Sequence, residues 1–390
     1  MRFLDPALLD DPYPTYARWQ EETPIWRDEQ TAAWVLTRHD DIRSVLKNSA
    51  DYSSATMGQG GAAEREDSAR GPRLPLLSDD PPKHTQLRGL VDRAFTVRML
   101  KKIEDRVTEL ADQMVADIPK GVPVDIVQAL TIPLPVAVIS QMMGIPAERA
   151  EEFKRWSDAL TGTLAGASIA DREQDIFEMW SFFADLIPKR RANPGDDLVS
   201  AVVNAEIDGV RLTDQEIIGF NMLLLVAGNE TTTNLLGNYL NVLADREDLY
   251  DQLCAEPPKI EAGIEETLRF DAPVQFLMRK ALRPMHYHGQ DVAVGDDVHV
   301  VMGAANRDPR SYEAPNEFRL DRKRNHHHTF GFGIHFCIGA PLARLEARAA
   351  MRALVGRFGS IRRAAGKAGT DERVASQLLR GFHHLWLEFS

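Results

Sequence analysis

Apolar residues recur every three or four positions through most of residues 83–270. Such spacing gathers them on one face of a helix. "HTQLRGLVDRAF" and "VRMLKKIEDRVTELADQMVADI" carry it plainly. The longest helical pattern covers 213–244, where Thr213 and Glu216 stand at capping-box spacing and an apolar middle predicts passage through the core. Residues 24–38 predict two short strands about a polar turn, and 284–301 alternate as short strands do. A last helix is predicted from about 339 to 357. Residues 53–82, rich in Gly, Pro and charge, predict a long loop, and such loops in compact proteins are often lids. The expected fold is mainly α with small peripheral β-sheets. No repeat or linker divides it, so residues 1–390 are expected to form one domain.

Composition narrows the function. The net charge of −12 disfavours a general nucleic-acid binder. The longest apolar run, "MLLLVAG", is far short of the roughly 20 residues that span a bilayer. The N-terminus shows no secretory signal. The two cysteines, Cys254 and Cys337, make no disulfide framework, so a cytoplasmic setting is expected. Cys254 sits in a helical pattern and reads as a small buried thiol.

The chemistry concentrates in "HHHTFGFGIHFCIGAPLARLEARAAM", residues 326–351. It offers four histidines and one thiol. A structural zinc site wants four ligands, and consecutive histidines cannot all face one ion. Zinc ligands and solvated loop histidines both stay open on these residues alone. Gly331, Gly333 and Gly339 bracket Cys337, and glycine allows close approach of backbone to a flat ligand. A thiol just before a helix start meets free N–H groups that stabilise the thiolate and lower its pKa.

"FGFGIHFCIG" resembles, position by position, the haem loop of the cytochrome P-450 haem-thiolate monooxygenases, Phe-Gly-x-Gly-x-His-x-Cys-x-Gly. The resemblance covers nearly the whole chain and looks closest to soluble bacterial members. It implies a P-450 fold with the long helix over haem b. It also implies that Cys337 is the iron ligand, that Phe330 packs against the sulfur and that His335 bonds a propionate. A thiolate ligand favours O–O cleavage. The family's Leu-Pro near the C-terminus is replaced here by Leu385-Trp386.

Three further stretches match the family's order. In "LLLVAGNETTTNL", Ala227 and Gly228 would make a hollow above the haem. A Thr hydroxyl bonding back to a carbonyl can open a helix locally. The resemblance implies that Thr231 donates to the reacting oxygen and that Glu230 relays protons. In "EETLRF", Glu266 and Arg269 form an i,i+3 pair. In the family such a pair meets a later cation, and "ANRDP" offers Arg307 for a structural trio. His84 and Arg88, four apart, and Arg279 would reach the haem propionates, since buried carboxylates need donors.

By family position the substrate pocket would comprise Leu223, Val226, Ala227, Val274, Leu277 and Leu379, with residues 53–78 gating it. A lipophilic substrate is implied: steroid, fatty acid, terpenoid or polyketide. Only Arg65, Arg70 and Arg73 in the gate are placed to hold a carboxylate. Two electrons would come from a ferredoxin or flavodoxin, fed by an NAD(P)H-dependent reductase. Arg344, Arg348 and Arg352, joined by Arg93, Lys101 and Lys102, would form its docking patch on a monomer. The rival functions are a peroxygenase driven by hydrogen peroxide, which usually lacks the acid–alcohol pair, and a zinc-binding non-enzyme using the His/Cys cluster.

Overall fold

The computed structural model describes residues 2–55, 74–164, 171–207, 209–323, 325–367 and 370–390. Its architecture follows the periodicity. Helices dominate from Lys83–Ala94 onward, and the sheets are small and lie to the side. The central helix, Asp214–Ala244, opens with a complete capping box: Thr213 accepts from the Glu216 N–H, and Glu216 returns a bond to the Thr213 N–H. Two orphan donors are satisfied at once, which sets where the helix begins. Its side chains are buried over most of its circumference, including Ile217, Leu225, Leu236 and Leu240. Each such side chain contributes about 1.5–3 kcal/mol by leaving water. Around it pack helices Pro133–Met142, Ala150–Leu164 and Glu173–Ala192.

The largest sheet has five strands, in the spatial order Ile25–Arg27, Trp34–Leu36, Asp297–Val300, Leu277–Ala281, Tyr52–Ser53. Only the contact of Asp297–Val300 with Trp34–Leu36 is parallel. The two-residue period of Leu277–Ala281 turns Leu277 and Arg279 to the same side, and both line the central cavity. Near the C-terminus the strand Trp386–Phe389 pairs with Val124–Asp125. Trp386 donates its N–H to Asp371 at 2.8 Å, a bond that a proline at this position could not make. No helix among the described residues is long and apolar enough to cross a membrane.

Residues 56–73, with Arg65, Arg70 and Arg73, lie outside the described residues. From the expected gate, Leu76 and Leu77 line the cavity.

Candidate active site

A cavity of about 270 Å³ lies between the central helix and the Cys337 loop.

The floor is the glycine-punctuated loop. The Cys337 N–H donates to the Phe330 carbonyl at 2.9 Å and the Gly331 N–H to His328 at 2.7 Å, which closes the turn. Gly331 and Gly333 have φ of 73° and 75°, a region that favours glycine. A Cβ on Gly333 would stand 2.7 Å from the Leu46 carbonyl oxygen, so backbone packs where a side chain would be. Helix Ala340–Arg357 starts three residues after Cys337. Cys337 is exposed, but the surface it exposes lines the cavity. Burial pushes its thiol up, against the pull of the Gly339 and Ala340 N–H groups and of Arg88 and Arg344. The expected depression is therefore corrected. The donors act in the expected sense, but desolvation of the free thiol outweighs them.

One rim is basic. His84 and Arg88 share a face of Lys83–Ala94, and Arg279 and His335 join them along the cavity. The His84 and His335 rings are 4.2 Å apart. Both His84 ring nitrogens are buried without a hydrogen-bond partner. Arg88 donates to the Phe336 carbonyl at 2.8 Å, and Arg279 donates to its neighbour Met278. Burial pushes Arg279 down to about 10. Burial, then Arg279, His84 and Arg88, push His335 down to about 3. Orphaned donors beside two arginines are the setting that bound carboxylates satisfy.

The roof is one face of the central helix: Phe220, Leu223, Leu224, Ala227, Gly228, Thr231, Thr232 and Leu235. Thr231 donates its hydroxyl to the Ala227 carbonyl at 2.7 Å. Gly228 also serves packing, because a Cβ there would come 3.3 Å from Ile139. Glu230 does not line the cavity. It turns to helix Ala150–Leu164, with Lys154 Nζ 3.7 Å from its Oε1. Burial and the charge of Asp158 push its carboxyl up to about 7, against the pull of Lys154.

Of the expected pocket residues, Leu223, Ala227, Val274 and Leu277 line the cavity. Val226 does not. A helix turns about 100° per residue, and Val226 packs into the apolar core instead. Leu379 does not line it either. It is bridged to Val274 through the backbone, and its side chain lines a small separate hollow beside Gln275. Leu76 and Leu77 of the expected gate line the cavity, while Phe95 and Met302 line it and were not expected. The latter two come from separate parts of the chain, so no local pattern marks them.

Glu266 and Arg269 form a fully buried pair at 2.7 Å, not a surface one. The third member is Arg322, whose Nε donates to both Glu266 oxygens at 3.1 and 3.0 Å. Arg307 is not part of this group. Its guanidinium lies 3.5 Å from the Tyr13 ring centre and 3.6 Å from that of Phe270, and it donates to the Phe270 carbonyl. The histidines of the loop diverge. His327 meets Glu265, His328 stacks on His39 and His335 faces the cavity. Among the described residues no group of three or more His, Cys, Asp or Glu is arranged to hold a metal ion.

The expected docking cations are largely engaged. Arg344 forks onto Glu265, Arg348 meets Glu261 and Glu104, Lys102 meets Asp196 and Arg93 donates to the Glu206 carbonyl. Lys101 and Arg352 are exposed.

A family model described as Cytochrome P450 matches residues 174–362. A putative cytochrome P450, YjiB of Bacillus subtilis, is 36% identical over 354 residues, covering 89% of this chain and 87% of that protein. The vitamin D(3) 25-hydroxylase of Pseudonocardia autotrophica is 35% identical, covering 97% of this chain and 94% of that protein. The crystal structure of CYP109E1 from Bacillus megaterium in complex with testosterone superimposes with a TM-score of 0.85 at 33% identity, covering 97% of this chain and 99% of that one.

Proposed function

Because this chain belongs to the cytochrome P450 family, we propose that Cys337 holds the iron of haem b through its sulfur. The chain is a haem monooxygenase, which places one oxygen atom of O2 in a lipophilic small molecule. The residues fit the cofactor. One sulfur stands on the cavity floor, and orphaned donors at His84, with Arg88, Arg279 and His335, stand along one rim for its two carboxylates. When bound, haem b supplies the iron at which O2 is reductively activated.

The chain's own residues do the rest. Ala227 and Gly228 leave space beneath the central helix. Thr231 holds its hydroxyl proton at Oγ1 on the Ala227 carbonyl and delivers it when that bond is exchanged. Glu230, poised near neutrality, takes protons from the Lys154 side and passes them through water toward Thr231. Glu266, Arg269 and Arg322 fix the segments beneath the loop. Apart from Thr231 and Thr232 the roof is apolar, and among the described lining residues the charged side chains and the histidines belong to the rim. A neutral substrate of steroid size, seated against Leu223, Ala227, Val274 and Leu277, suits that wall. The likeness to a testosterone-bound structure and to a vitamin D(3) hydroxylase supports this choice.

Electrons come from an external redox partner. We place an acidic ferredoxin or flavodoxin over Arg352 and Lys101, with Arg348, whose pairs are loose at 3.2 and 3.7 Å. The chain is read as a single-domain monomer over residues 1–390. A reducing cytoplasm suits its two free cysteines.

The position of Cys337 opposite Thr231 across the cavity carries this reading. Cys337→Ala is expected to abolish the carbon-monoxide band that gives the family its name. An unaltered spectrum would overturn the ligation. Testosterone titrated into the purified enzyme is expected to shift the iron to high spin, and no shift with any neutral steroid would sink the substrate class.

A further inference from the structure

Arg344 does not stand free as a docking cation would. Its guanidinium carbon lies 4.5 Å from the centre of the Phe330 ring. Its Nε and Nη2 donate to the two oxygens of Glu265 at 2.6 and 2.8 Å. Buried His327 approaches the same carboxylate at 3.3 Å, and its ring centre is 5.7 Å from that of Phe330. Phe330 is itself fastened to Cys337 by the backbone hydrogen bond at 2.9 Å, and it lines the cavity. Helix Lys259–Phe270, helix Ala340–Arg357 and the loop thus meet at one aromatic ring next to the sulfur.

The two adjacent glutamates divide the work. Glu266 turns inward to Arg269 and Arg322, while Glu265 turns to the loop. Burial works against the Glu265 anion, but Arg344 and His327 hold its carboxyl down at about 2, so it stays charged at any physiological pH.

We propose that Glu265 is a positioning residue for the Cys337 loop: it holds Arg344 on the Phe330 ring, cancels its charge there, and so sets the reduction potential of the bound haem. This rests on ligation by Cys337. Reduction adds negative charge at the iron and sulfur. An uncompensated cation at Phe330 would favour the reduced state, and an uncompensated carboxylate would disfavour it. Partial exposure screens the effect, to on the order of tenfold in the equilibrium, about 59 mV for one electron.

Redox titration of the purified holoenzyme tests this. Glu265→Gln frees Arg344 and is expected to raise the potential by that order. Arg344→Gln frees Glu265 and is expected to lower it. The double variant is expected to return close to the parent. A role in stability alone would lower the melting temperature in each variant without opposite signs in potential. Glu265→Gln with a normal carbon-monoxide band and an unmoved potential overturns the proposal, as does a shift that survives in the double variant. Should Glu265→Gln fail to fold, Arg344→Gln decides alone, and an unmoved or raised potential overturns it. Loss of the band in the unmodified enzyme would instead defeat ligation by Cys337, and the two failures are distinguishable in one preparation.

Discussion

Lys154 reaches Glu230 across the gap between two helices, its Nζ 3.7 Å from Oε1. The acid that neighbours Thr231 is thereby tied to helix Ala150–Leu164 rather than to the cavity. Burial raises its pKa to about 7, Asp158 adds to this, and Lys154 restrains it. Removing the restraint in Lys154→Met is expected to move the alkaline midpoint of the group upward. The pH profile of product formation per electron, measured on both enzymes, checks this, and a downward move would contradict the assignment.

The same carboxyl makes stability depend on pH. Its folded pKa lies above the ordinary carboxyl value of 4.5, so the folded state holds the proton more tightly than the unfolded chain. That stabilisation is complete at or below about pH 4.5 and is lost as pH rises through about 7. Glu230→Gln has no such loss. The melting temperature of the variant relative to the parent should climb between those limits and level off above them. Turnover of the variant should fall by on the order of 10²-fold with haem content intact.

Thr231 places a different demand. Its hydroxyl is bonded to the Ala227 carbonyl, and helix Asp214–Ala244 is continuous around it. Thr231→Ala should therefore keep fold and haem while sending electrons to hydrogen peroxide. Thr231→Ser should retain most coupling. Peroxide and product are measured against NAD(P)H consumed, and full coupling in Thr231→Ala would remove Thr231 from the proton path.

The buried trio shows what the sequence disclosed and where it stopped. The helices, the capping box at Thr213, the short strands and the glycine loop are local patterns, and each is legible from spacing. The partner of Glu266 is set by how a long coil folds back. Arg307 lies nearer in sequence, but it emerges beside Tyr13 and Phe270, while Arg322 reaches Glu266 at 3.0 Å. Val226 and Leu379 missed the cavity for a related reason: one residue of helix rotation and one backbone bridge decide which way a side chain points. Arg322→Leu should cost about 3–5 kcal/mol, because it leaves a buried carboxylate with one cation fewer. Arg307→Leu, which loses stacking and one hydrogen bond, should cost less, about 1–2 kcal/mol. Urea unfolding of the two variants ranks them, and the reverse order would restore Arg307 to the trio.

Two glycines of the loop should respond differently to the same change. Gly331 and Gly333 share a positive φ, so alanine strains either backbone by about 1–2 kcal/mol. Their surroundings differ. A Cβ on Gly331 would meet the His335 carbonyl oxygen at 3.5 Å, an ordinary contact. On Gly333 it would stand 2.7 Å from the Leu46 carbonyl oxygen and 3.3 Å from the Lys47 Cα, both backbone atoms at the end of helix His39–Lys47. That helix end cannot yield as a flexible side chain would, so the loop must lift and carry Cys337 with it. Gly333→Ala is expected to lower both melting temperature and haem content well beyond Gly331→Ala. Haem per chain, read by absorbance against protein, separates the two effects. Equal losses in both variants would mean that φ strain alone governs the loop and that its seat against residues 46–47 contributes nothing.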